Sequence, residues 1–367
     1  MSVNETPRPV WAIVLAAGEG SRMKSVRPKP LHRLCGKPMI LYVLDSLSAT
    51  HADRAAVVVG HKAEWVTKKV TEAETRVPLE FVEQHEQRGT GDAALIGLSG
   101  LPDDPDDGDV IVMPGDTPLL RPETIAALVE QHRRTDVAAT LLTAVLDDPA
   151  GYGRIVRGRN GRIVRVVEQV DATDEEAAND EVNTSIYCFR RSLLSPALRR
   201  LEPDNAQGEY YLTDVVAVLA DAGHIIDSMV AGSATEVSGV NDRVQLAAAE
   251  AELRRRTNEA LLRSGVTIVD PANTYVDSTV SVGRDVTLFP GTILSGRTIV
   301  GDHTEVGPNT RLVDCVVGSD CIVEYSTARR ATIEARSVVG PFAVLDPGSV
   351  VPEGSVTGPF YTPGSVD

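Results

Sequence analysis

Short apolar runs alternate with amphipathic segments along the first 240 residues. The runs that we predict to be buried strands are Trp11–Gly18, Ala55–Gly60, Asp109–Asp116 and Val137–Val145. Segments between them, such as Pro38–Leu47 and Arg121–Arg134, space their apolar residues as on one face of a helix. This alternation predicts an α/β fold with a mixed, mostly parallel sheet covered by helices. Ligands of such sheets bind at the carboxyl ends of the strands.

Residues 241–265 give a strong helix signal. Asparagine or aspartate can cap its start, alanine, leucine, glutamate and arginine fill it, and Gly265 ends it. We predict that this helix connects a first domain of residues 1–240 with a second domain of residues 266–367.

Beyond Val266 an apolar residue recurs every six positions. The series runs through Val282, Leu288, Leu294, Val300, Val306 and Leu312, resumes after a one-residue slip at Val317 and Val323, and returns at Val339, Leu345 and Val351. Small and turn-forming residues fill the intervals, which is typical of hexapeptide repeats and predicts a short left-handed parallel β-helix. A sandwich of period-two strands fits the pattern less well. Cys315 and Cys321, six residues apart, would then occupy equivalent positions.

The charge distribution narrows the classes of partner. The net charge of −16 argues against binding to nucleic acids or anionic membranes. Residues 20–44 nevertheless contain six basic residues and no acidic one, a local charge of +6. Such an excess, opposite to the sign of the whole chain, indicates a small anionic ligand.

The cysteines and the apolar runs indicate the compartment. The four cysteines form no CxxC pair and fit no common zinc pattern, so we expect reduced thiols in a cytoplasmic protein. No stretch approaches the ~20 apolar residues of a membrane span. The run Val10–Ala17 has no basic segment before it of the kind that begins a signal peptide.

A glycine-rich loop follows the first predicted strand, where backbone N–H groups can bind phosphate. It is not a dinucleotide fingerprint, because Met23 stands where a third glycine is required, and no GK[ST] closes a Walker loop. The loop continues as LAAGEGSRM and then PKPLHRLCGKPM, with Arg22 and Lys29 just beyond the glycines. This combination resembles the signature of nucleoside-triphosphate:sugar-1-phosphate nucleotidylyltransferases. Without these two sequence strings, the alternative interpretation of the loop would be a solvent-exposed basic turn.

Further motifs, in order, resemble the bacterial bifunctional N-acetylglucosamine-1-phosphate uridylyltransferase/glucosamine-1-phosphate acetyltransferase family. They include EQHEQRGTGDAAL, MPGDTPLL, GYGRI, VVEQVDAT, EVNTSIYCF, GEYYLTDVV and GVNDR. The resemblance implies a Rossmann-like nucleotidyltransferase domain and assigns roles by position. Nucleotide contacts would be Leu15, Ala16, Ala17, Gly18, Gln84, Gly89 and Thr90; sugar contacts would be Gly153, Glu168, Asn183, Tyr211 and Thr213; catalytic cations would be Arg22 and Lys29; metal ligands would be Asp116 and Asn241.

The same resemblance implies the chemistry. A sugar-1-phosphate oxygen attacks the α-phosphorus of a nucleoside triphosphate and pyrophosphate leaves, with Mg²⁺ held by Asp116 and Asn241. Taken singly, each of these residues has an ordinary structural interpretation: Asp116 as a turn residue, Glu168 as a surface acid, Tyr211 as core. The assignment of these roles rests on the occurrence of all the motifs together, in the order of the family.

The chain also departs from the family pattern. The sequence ends at Asp367, Asp346 replaces an arginine of the family's acetyl-transfer site, and His303 is the only histidine of the repeats, so we expect no acetyltransferase activity. Assembly into homotrimers through the repeats is expected, since hexapeptide coils commonly pack around a threefold axis.

The sugar pocket departs as well, because Ser185 replaces the family's glycine after Asn183 and Thr184. A nucleotidyltransferase with this altered pocket and without the family's acetyltransferase half resembles enzymes of aminocyclitol antibiotic pathways. Those enzymes guanylylate valienol 1-phosphate, a cyclitol-1-phosphate. That is our specific hypothesis. A monofunctional uridylyltransferase for N-acetylglucosamine 1-phosphate is the alternative, which Gln84 favours. A non-catalytic regulatory homologue is a third.

Overall fold

A computed structural model describes residues 8–102 and 107–363. They fall into two compact units, which follow the chain divisions Met1–His32 with Pro38–Gln245 and Arg33–Lys37 with Leu246–Asp367. The domain limits expected from the sequence, at residues 240 and 265, stay a prediction. In the described part of the chain, no helix combines the length and the apolar character needed to cross a bilayer.

The elements before the repeats follow the predicted alternation closely. The strands are β1 (Val10–Ala16), β2 (Arg33–Leu34), β3 (Lys37–Pro38), β4 (Arg54–Val59), β5 (Leu79–Glu83), β6 (Asp109–Pro114), β7 (Ala139–Val145), β8 (Gly153–Arg157), β9 (Ile163–Val167), β10 (Glu181–Arg190) and β11 (Ile226–Val230). The helices are α1 (Met39–Ser46), α2 (Ala63–Thr71), α3 (Thr90–Ser99), α4 (Pro122–Thr135), α5 (Asp174–Ala177), α6 (Arg191–Leu198), α7 (Asp214–Asp221) and α8 (Arg243–Arg263).

The sheet of the first unit is mixed and mostly parallel. Its strand order is β11-β7-β10-β6-β1-β4-β5, and β8 and β9 extend it from β10. β1 runs parallel to both β4 and β6, β4 parallel to β5, and β7 parallel to β11. β10 runs antiparallel to β6, β7 and β8. The predicted Rossmann-like α/β fold is confirmed.

Strand β1 shows why the central strands read as continuous apolar runs. Val14 packs into a core that contains Ile40 and Ile125, whereas Ile13 packs into a second core that contains Phe189. Successive side chains of a strand point to opposite faces, and both faces of this sheet are covered. Because β1 and β6 are parallel neighbours in this sheet, the two loops that follow them lie side by side.

The repeat region forms three stacks of very short parallel strands. These are β12 (Thr267–Ile268), β13 (Tyr275–Val276), β14 (Ser281–Val282), β15 (Thr287–Leu288), β16 (Ile293–Ser295), β17 (Ile299–Val300), β18 (Glu305–Val306), β19 (Arg311–Val313), β20 (Val316–Val317), β21 (Ile322–Val323), β22 (Thr327–Arg329), β23 (Thr332–Ile333), β24 (Val338–Val339), β25 (Val344–Leu345) and β26 (Val350–Val351). Every third strand pairs, giving the sheets β12-β15-β18-β21-β24, β13-β16-β19-β22-β25 and β14-β17-β20-β23-β26. This is the arrangement of the predicted left-handed β-helix.

The six-residue period marks the inward positions of the coil. From Leu288 onward, each aliphatic residue of the series is at most 2% exposed. Cys315 and Cys321 are equivalent, as predicted: their backbone N–H groups donate to Thr298 Oγ1 at 3.2 Å and Thr304 Oγ1 at 3.1 Å. Equivalent positions on successive faces of the coil therefore make the same contact with the preceding coil.

All four cysteines are free and buried, in agreement with the expected reduced thiols. Cys35 lies in the short segment that groups with the second unit, where its N–H donates to Glu250 Oε2 at 2.8 Å. Burial, with the nearby Glu250 carboxylate, raises the pKa of the Cys35 thiol to about 12. It is therefore a structural cysteine.

Candidate active site

A cavity of about 430 Å³ opens at the carboxyl ends of β1 and β6, where parallel sheets bind their ligands. Many of the residues singled out in the sequence line it: Leu15, Ala16, Ala17, Gly18, Lys29, Gln84, Gly89, Thr90, Asp116, Glu168 and Thr213. Segments from across the first unit thus meet at one place.

The glycine-rich loop after β1 sets the path of Lys29. Gly20 has a φ of +66°, and a Cβ built on it would lie 2.6 Å from Lys29 Cβ. Only glycine satisfies both the left-handed backbone and this close approach. Ser21–Met23 then forms a 3₁₀ turn and Lys29–Leu31 a second one. The loop therefore places the Lys29 side chain against the cavity.

Lys29 joins two segments that are distant in the chain. Its Nζ donates to Asp116 Oδ2, which follows β6, and to Asn241 Oδ1 at 2.9 Å. Arg22 Nη2 donates to the same Asn241 oxygen at 3.0 Å. The Val240 N–H donates to the Asp116 carbonyl at 2.8 Å and ties the two segments together. With two cations and one carboxylate, this cluster carries one net positive charge and suits an anionic ligand.

The N-terminus of α3 forms another wall. Gly89 has a φ of +111°, and a Cβ there would lie 2.5 Å from the Tyr210 carbonyl, so glycine is required. Gln84 is 3% exposed, and its Nε2 donates to the Gly89 carbonyl at 3.2 Å. Thr90 Oγ1 accepts the Leu212 N–H at 3.0 Å. These hydrogen bonds fix the positions of Gln84, Gly89 and Thr90, the predicted nucleotide contacts of this wall.

A third wall contains a half-buried acid, Glu168. Thr213 Oγ1 donates to Glu168 Oε1 at 3.0 Å. Burial raises the pKa of the Glu168 carboxyl, and the nearby carboxylates of Asp214 and Asp171 act in the same direction. This wall offers hydroxyl and carboxyl groups, which are suited to the hydroxyls of a ring.

Three residues that the sequence singles out as sugar contacts are paired with other residues of the fold. Gly153 pairs with Asn183 between β8 and β10, and a Cβ built on Gly153 would lie 3.5 Å from Glu168 Oε2. Asn183 Nδ2 donates to Tyr187 Oη at 2.7 Å, and Tyr211 Oη donates to Gln207 Oε1 at 2.8 Å. Gly153, Asn183 and Tyr211 do not line the cavity, and their predicted contact with a substrate stays a prediction.

The cavity also contains side chains to which the sequence had assigned no role. They include Glu19, Gln87, Tyr187 and Glu209. No periodicity points to them, and their only signal in the sequence is that each lies within one of the motifs quoted above. Ser185, noted above as a departure, also lines the wall, with a left-handed φ of +61° where the register of β10 against β7 shifts. A serine in that conformation is strained, which draws attention to the position.

The structure offers oxygen ligands for a cation at Asp116 and Asn241. The Lys29 ammonium already contacts both side-chain oxygens, so the pair can bind one positive charge. One carboxylate and one amide oxygen match the hard ligands that Mg²⁺ prefers while it retains water and phosphate oxygens. Among the described residues, no group of three or more His, Cys, Asp or Glu side chains could hold a metal.

Comparison with known proteins identifies related sequences. The family model of the MobA-like NTP transferase domain matches residues 12–213. Bifunctional protein GlmU of Thermobifida fusca (strain YX) is 47% identical over 294 residues, 80% of this chain and 60% of that protein. Bifunctional protein GlmU of Shouchella clausii (strain KSM-K16) is 45% identical over 289 residues, 79% and 62% of the two chains. The chain thus spans about three fifths of the length of these relatives.

The fold also has a counterpart among solved structures. A crystal structure of UDP-glucose pyrophosphorylase complexed with UDP-glucose matches with a TM-score of 0.55 at 16% identity, covering 68% of this chain and 99% of that one. At this identity the likeness concerns the fold alone.

Proposed function

This chain belongs to the MobA-like NTP transferase family, and from that premise we propose that it transfers a nucleoside monophosphate from a nucleoside triphosphate to a sugar- or cyclitol-1-phosphate, releasing pyrophosphate. The observation that carries the proposal is the cluster of Lys29, Asp116, Asn241 and Arg22 beside the glycine-rich loop, which has one net positive charge. The family description supports transfer from a nucleoside triphosphate, and the resemblance of the motifs to sugar-1-phosphate nucleotidylyltransferases supports this class of acceptor.

The proposed reaction is a direct displacement. A phosphate oxygen of the acceptor forms a bond to the α-phosphorus, the bond from that phosphorus to the β-phosphate oxygen breaks, and pyrophosphate leaves. The acceptor phosphate is already an anion near neutral pH, so no side chain has to remove a proton. Lys29 and Arg22 offset the charge of the triphosphate and the leaving group, and catalysis consists of positioning and charge neutralisation.

Asp116 and Asn241 would hold Mg²⁺, since their oxygens fit that ion. When bound, the ion supplies further charge neutralisation for the phosphates. Lys29, which contacts both oxygens, would then turn its ammonium toward the phosphates. The loop amides from Gly18 to Ser21 would donate to the triphosphate.

For the acceptor, our specific proposal is valienol 1-phosphate with GTP, as in aminocyclitol antibiotic synthesis. Ser185 supports an altered ring pocket, because its side chain lies in the cavity on a strained backbone. The competing candidate is UTP with N-acetylglucosamine 1-phosphate, which Gln84 and the order of the motifs support. A non-catalytic regulatory role is the third, against which the combination of Arg22, Lys29, Asp116 and Asn241 speaks.

Assembly and a second activity are separate proposals. The parallel stacks of the repeat region support a homotrimer, which sedimentation of the full chain tests. We also propose that acetyl transfer from acetyl-CoA to glucosamine 1-phosphate is absent. Release of free CoA in that assay would contradict it.

The experiment is a matrix of Mg²⁺, each of the four nucleoside triphosphates, and a panel of sugar- and cyclitol-1-phosphates, with pyrophosphate release as readout. Pyrophosphate release with at least one pair supports the proposed nucleotidyl transfer, and no release with any pair contradicts it. Preference for GTP with the cyclitol phosphate supports the specific proposal. Preference for UTP with N-acetylglucosamine 1-phosphate contradicts it.

A further inference from the structure

Asp92 holds the side-chain amide of Gln84 in one orientation. Gln84 Nε2 lies 2.8 Å from Asp92 Oδ2 and 3.2 Å from the Gly89 carbonyl oxygen. A carboxylate and a carbonyl can only accept hydrogen bonds, so both hydrogens of the amide nitrogen are directed at them. A side-chain amide that lacks such partners can turn by 180° and exchange its oxygen and nitrogen. Here the two acceptors prevent that exchange.

The locked orientation decides what Gln84 can offer to a ligand. Gln84 lines the cavity, and both hydrogens of its amide nitrogen are already directed at Asp92 and Gly89. The end of the amide that remains for the cavity is Oε1, which is an acceptor. A group that binds there must therefore bring a hydrogen-bond donor.

Asp92 is well placed for this task. It is the third residue of α3, in the first turn of a ten-residue helix, where the helix dipole stabilises a negative charge. The Gly89 carbonyl, the second acceptor, is fixed by the close approach of Gly89 to the Tyr210 backbone. The amide thus lies between two acceptors whose positions the backbone sets.

We propose that Asp92 is a positioning residue for nucleobase recognition, which turns Gln84 Oε1 toward the cavity and so selects bases that present a ring N–H. Uracil and guanine carry that donor on their pairing edge, whereas cytosine and adenine carry a ring nitrogen acceptor there. A site built to bind a donor rejects an analogue that lacks it, because two acceptors then face each other. The inference rests on the proposed function, since it takes the cavity to hold a nucleoside triphosphate.

The test is equilibrium binding of UTP, GTP, CTP and ATP to the full chain, by calorimetry. We expect the better of UTP and GTP to bind at least about tenfold more tightly than CTP and ATP. Asp92→Asn should reduce this ratio several-fold, since asparagine can donate and lets the Gln84 amide turn. Asp92→Ser, which also suits a helix N-terminus, should shift the ratio in the same direction and guards against a folding defect in the first variant.

Two controls separate positioning from a structural role. Glu123→Gln removes an exposed carboxylate from the first turn of α4 and should leave the ratio unchanged. In a Gln84→Ala background, Asp92→Asn should change the ratio no further, because the amide on which it acts is absent.

Three results would overturn the inference: tighter binding of ATP or CTP to the unaltered chain, an Asp92→Asn variant that weakens all four nucleotides equally, or an effect of Asp92→Asn that persists without Gln84. Failure of the proposed function is distinguishable from these. It would appear as absent pyrophosphate release alongside the expected binding ratio.

Discussion

In the β-helix each coil packs on the next coil, whereas the cavity of the first unit is assembled from segments far apart in the chain. Val300 pairs with Val317 one coil later, and the same step repeats along the stack. Lys29, in contrast, contacts Asp116 and Asn241 across 87 and 212 residues. The repeats thus use side chains to fill a core, while the cavity brings charged side chains together for chemistry. A substitution should therefore cost activity in the cavity and stability in the repeats.

Asp116→Ala is expected to give the largest effect. Removing the carboxylate leaves Lys29 with Asn241 alone and takes away a proposed metal ligand. We expect turnover to fall by roughly 10²–10³-fold, the usual range for loss of one electrostatic group, with an unfolding transition close to that of the unaltered chain. Pyrophosphate release and circular dichroism measure the two quantities.

Asp221→Ala, at the exposed end of α7, is the matched control for that substitution. It should retain full turnover. An Asp116→Ala variant that is folded and as active as this control would remove the assigned role.

Adjacent valines in the repeats provide the converse comparison. Val317 is 2% exposed and Val316 is 47% exposed. Val317→Ala should lower the free energy of unfolding of the repeat region by about 2 kcal/mol, through lost burial and a cavity. Val316→Ala should stay within about 0.5 kcal/mol, since its side chain points to solvent. Equal losses in urea denaturation would show that the six-residue period does not mark the core.

Ser185→Gly tests whether strain is stored at the cavity. Ser185 has a φ of +61°, which glycine adopts without penalty. We expect a gain in stability of about 0.5–1 kcal/mol, smaller than the strain itself because glycine also loses more entropy on folding. A change in acceptor preference should accompany it. Lower stability with unchanged preference would assign Ser185 no role.

The smallest expected effect is a pH dependence at Glu168. Burial raises the pKa of this carboxyl above the ordinary value of 4.5, so the folded state binds the proton more tightly than the unfolded one. Stability then decreases as the pH rises from the unfolded value through the folded one. Glu168→Gln removes this decrease. The difference in thermal unfolding temperature between the variant and the unaltered chain should therefore grow in favour of the variant as the pH rises through that range. Glu123→Gln should show no such trend, and a flat Glu168→Gln difference would contradict the raised pKa.

The same contrast explains what the sequence could predict. The six-residue series identified the inward positions of the β-helix because every repeat places one aliphatic residue inward and stacks it on the equivalent residue of the next coil. The strands of the sheet could be predicted equally well, because burial on both faces leaves a continuous apolar run, as in β1. Resemblance to known motifs drew attention to Lys29, Asp116 and Asn241, but no local pattern states that these three side chains touch.

Other features depend on geometry that no sequence pattern encodes. Ser185 was visible as a departure, but its left-handed backbone follows from the register shift of β10. Asp92 gave no signal at all, because its importance comes from a hydrogen bond to Gln84. Asn183 belongs to the same motif as Ser185, and Tyr211 to the same motif as Thr213, yet neither Asn183 nor Tyr211 lines the cavity.

The most direct test of the central claim follows the phosphate oxygens. The acceptor sugar- or cyclitol-1-phosphate is prepared with ¹⁸O in its phosphate and incubated with the protein, an unlabelled nucleoside triphosphate and Mg²⁺. The masses of the products are then measured by mass spectrometry. Direct displacement predicts that all of the ¹⁸O stays in the nucleoside-diphosphate-linked sugar or cyclitol and that the released pyrophosphate is unlabelled. Label in pyrophosphate or in inorganic phosphate would contradict attack by the acceptor on the α-phosphorus.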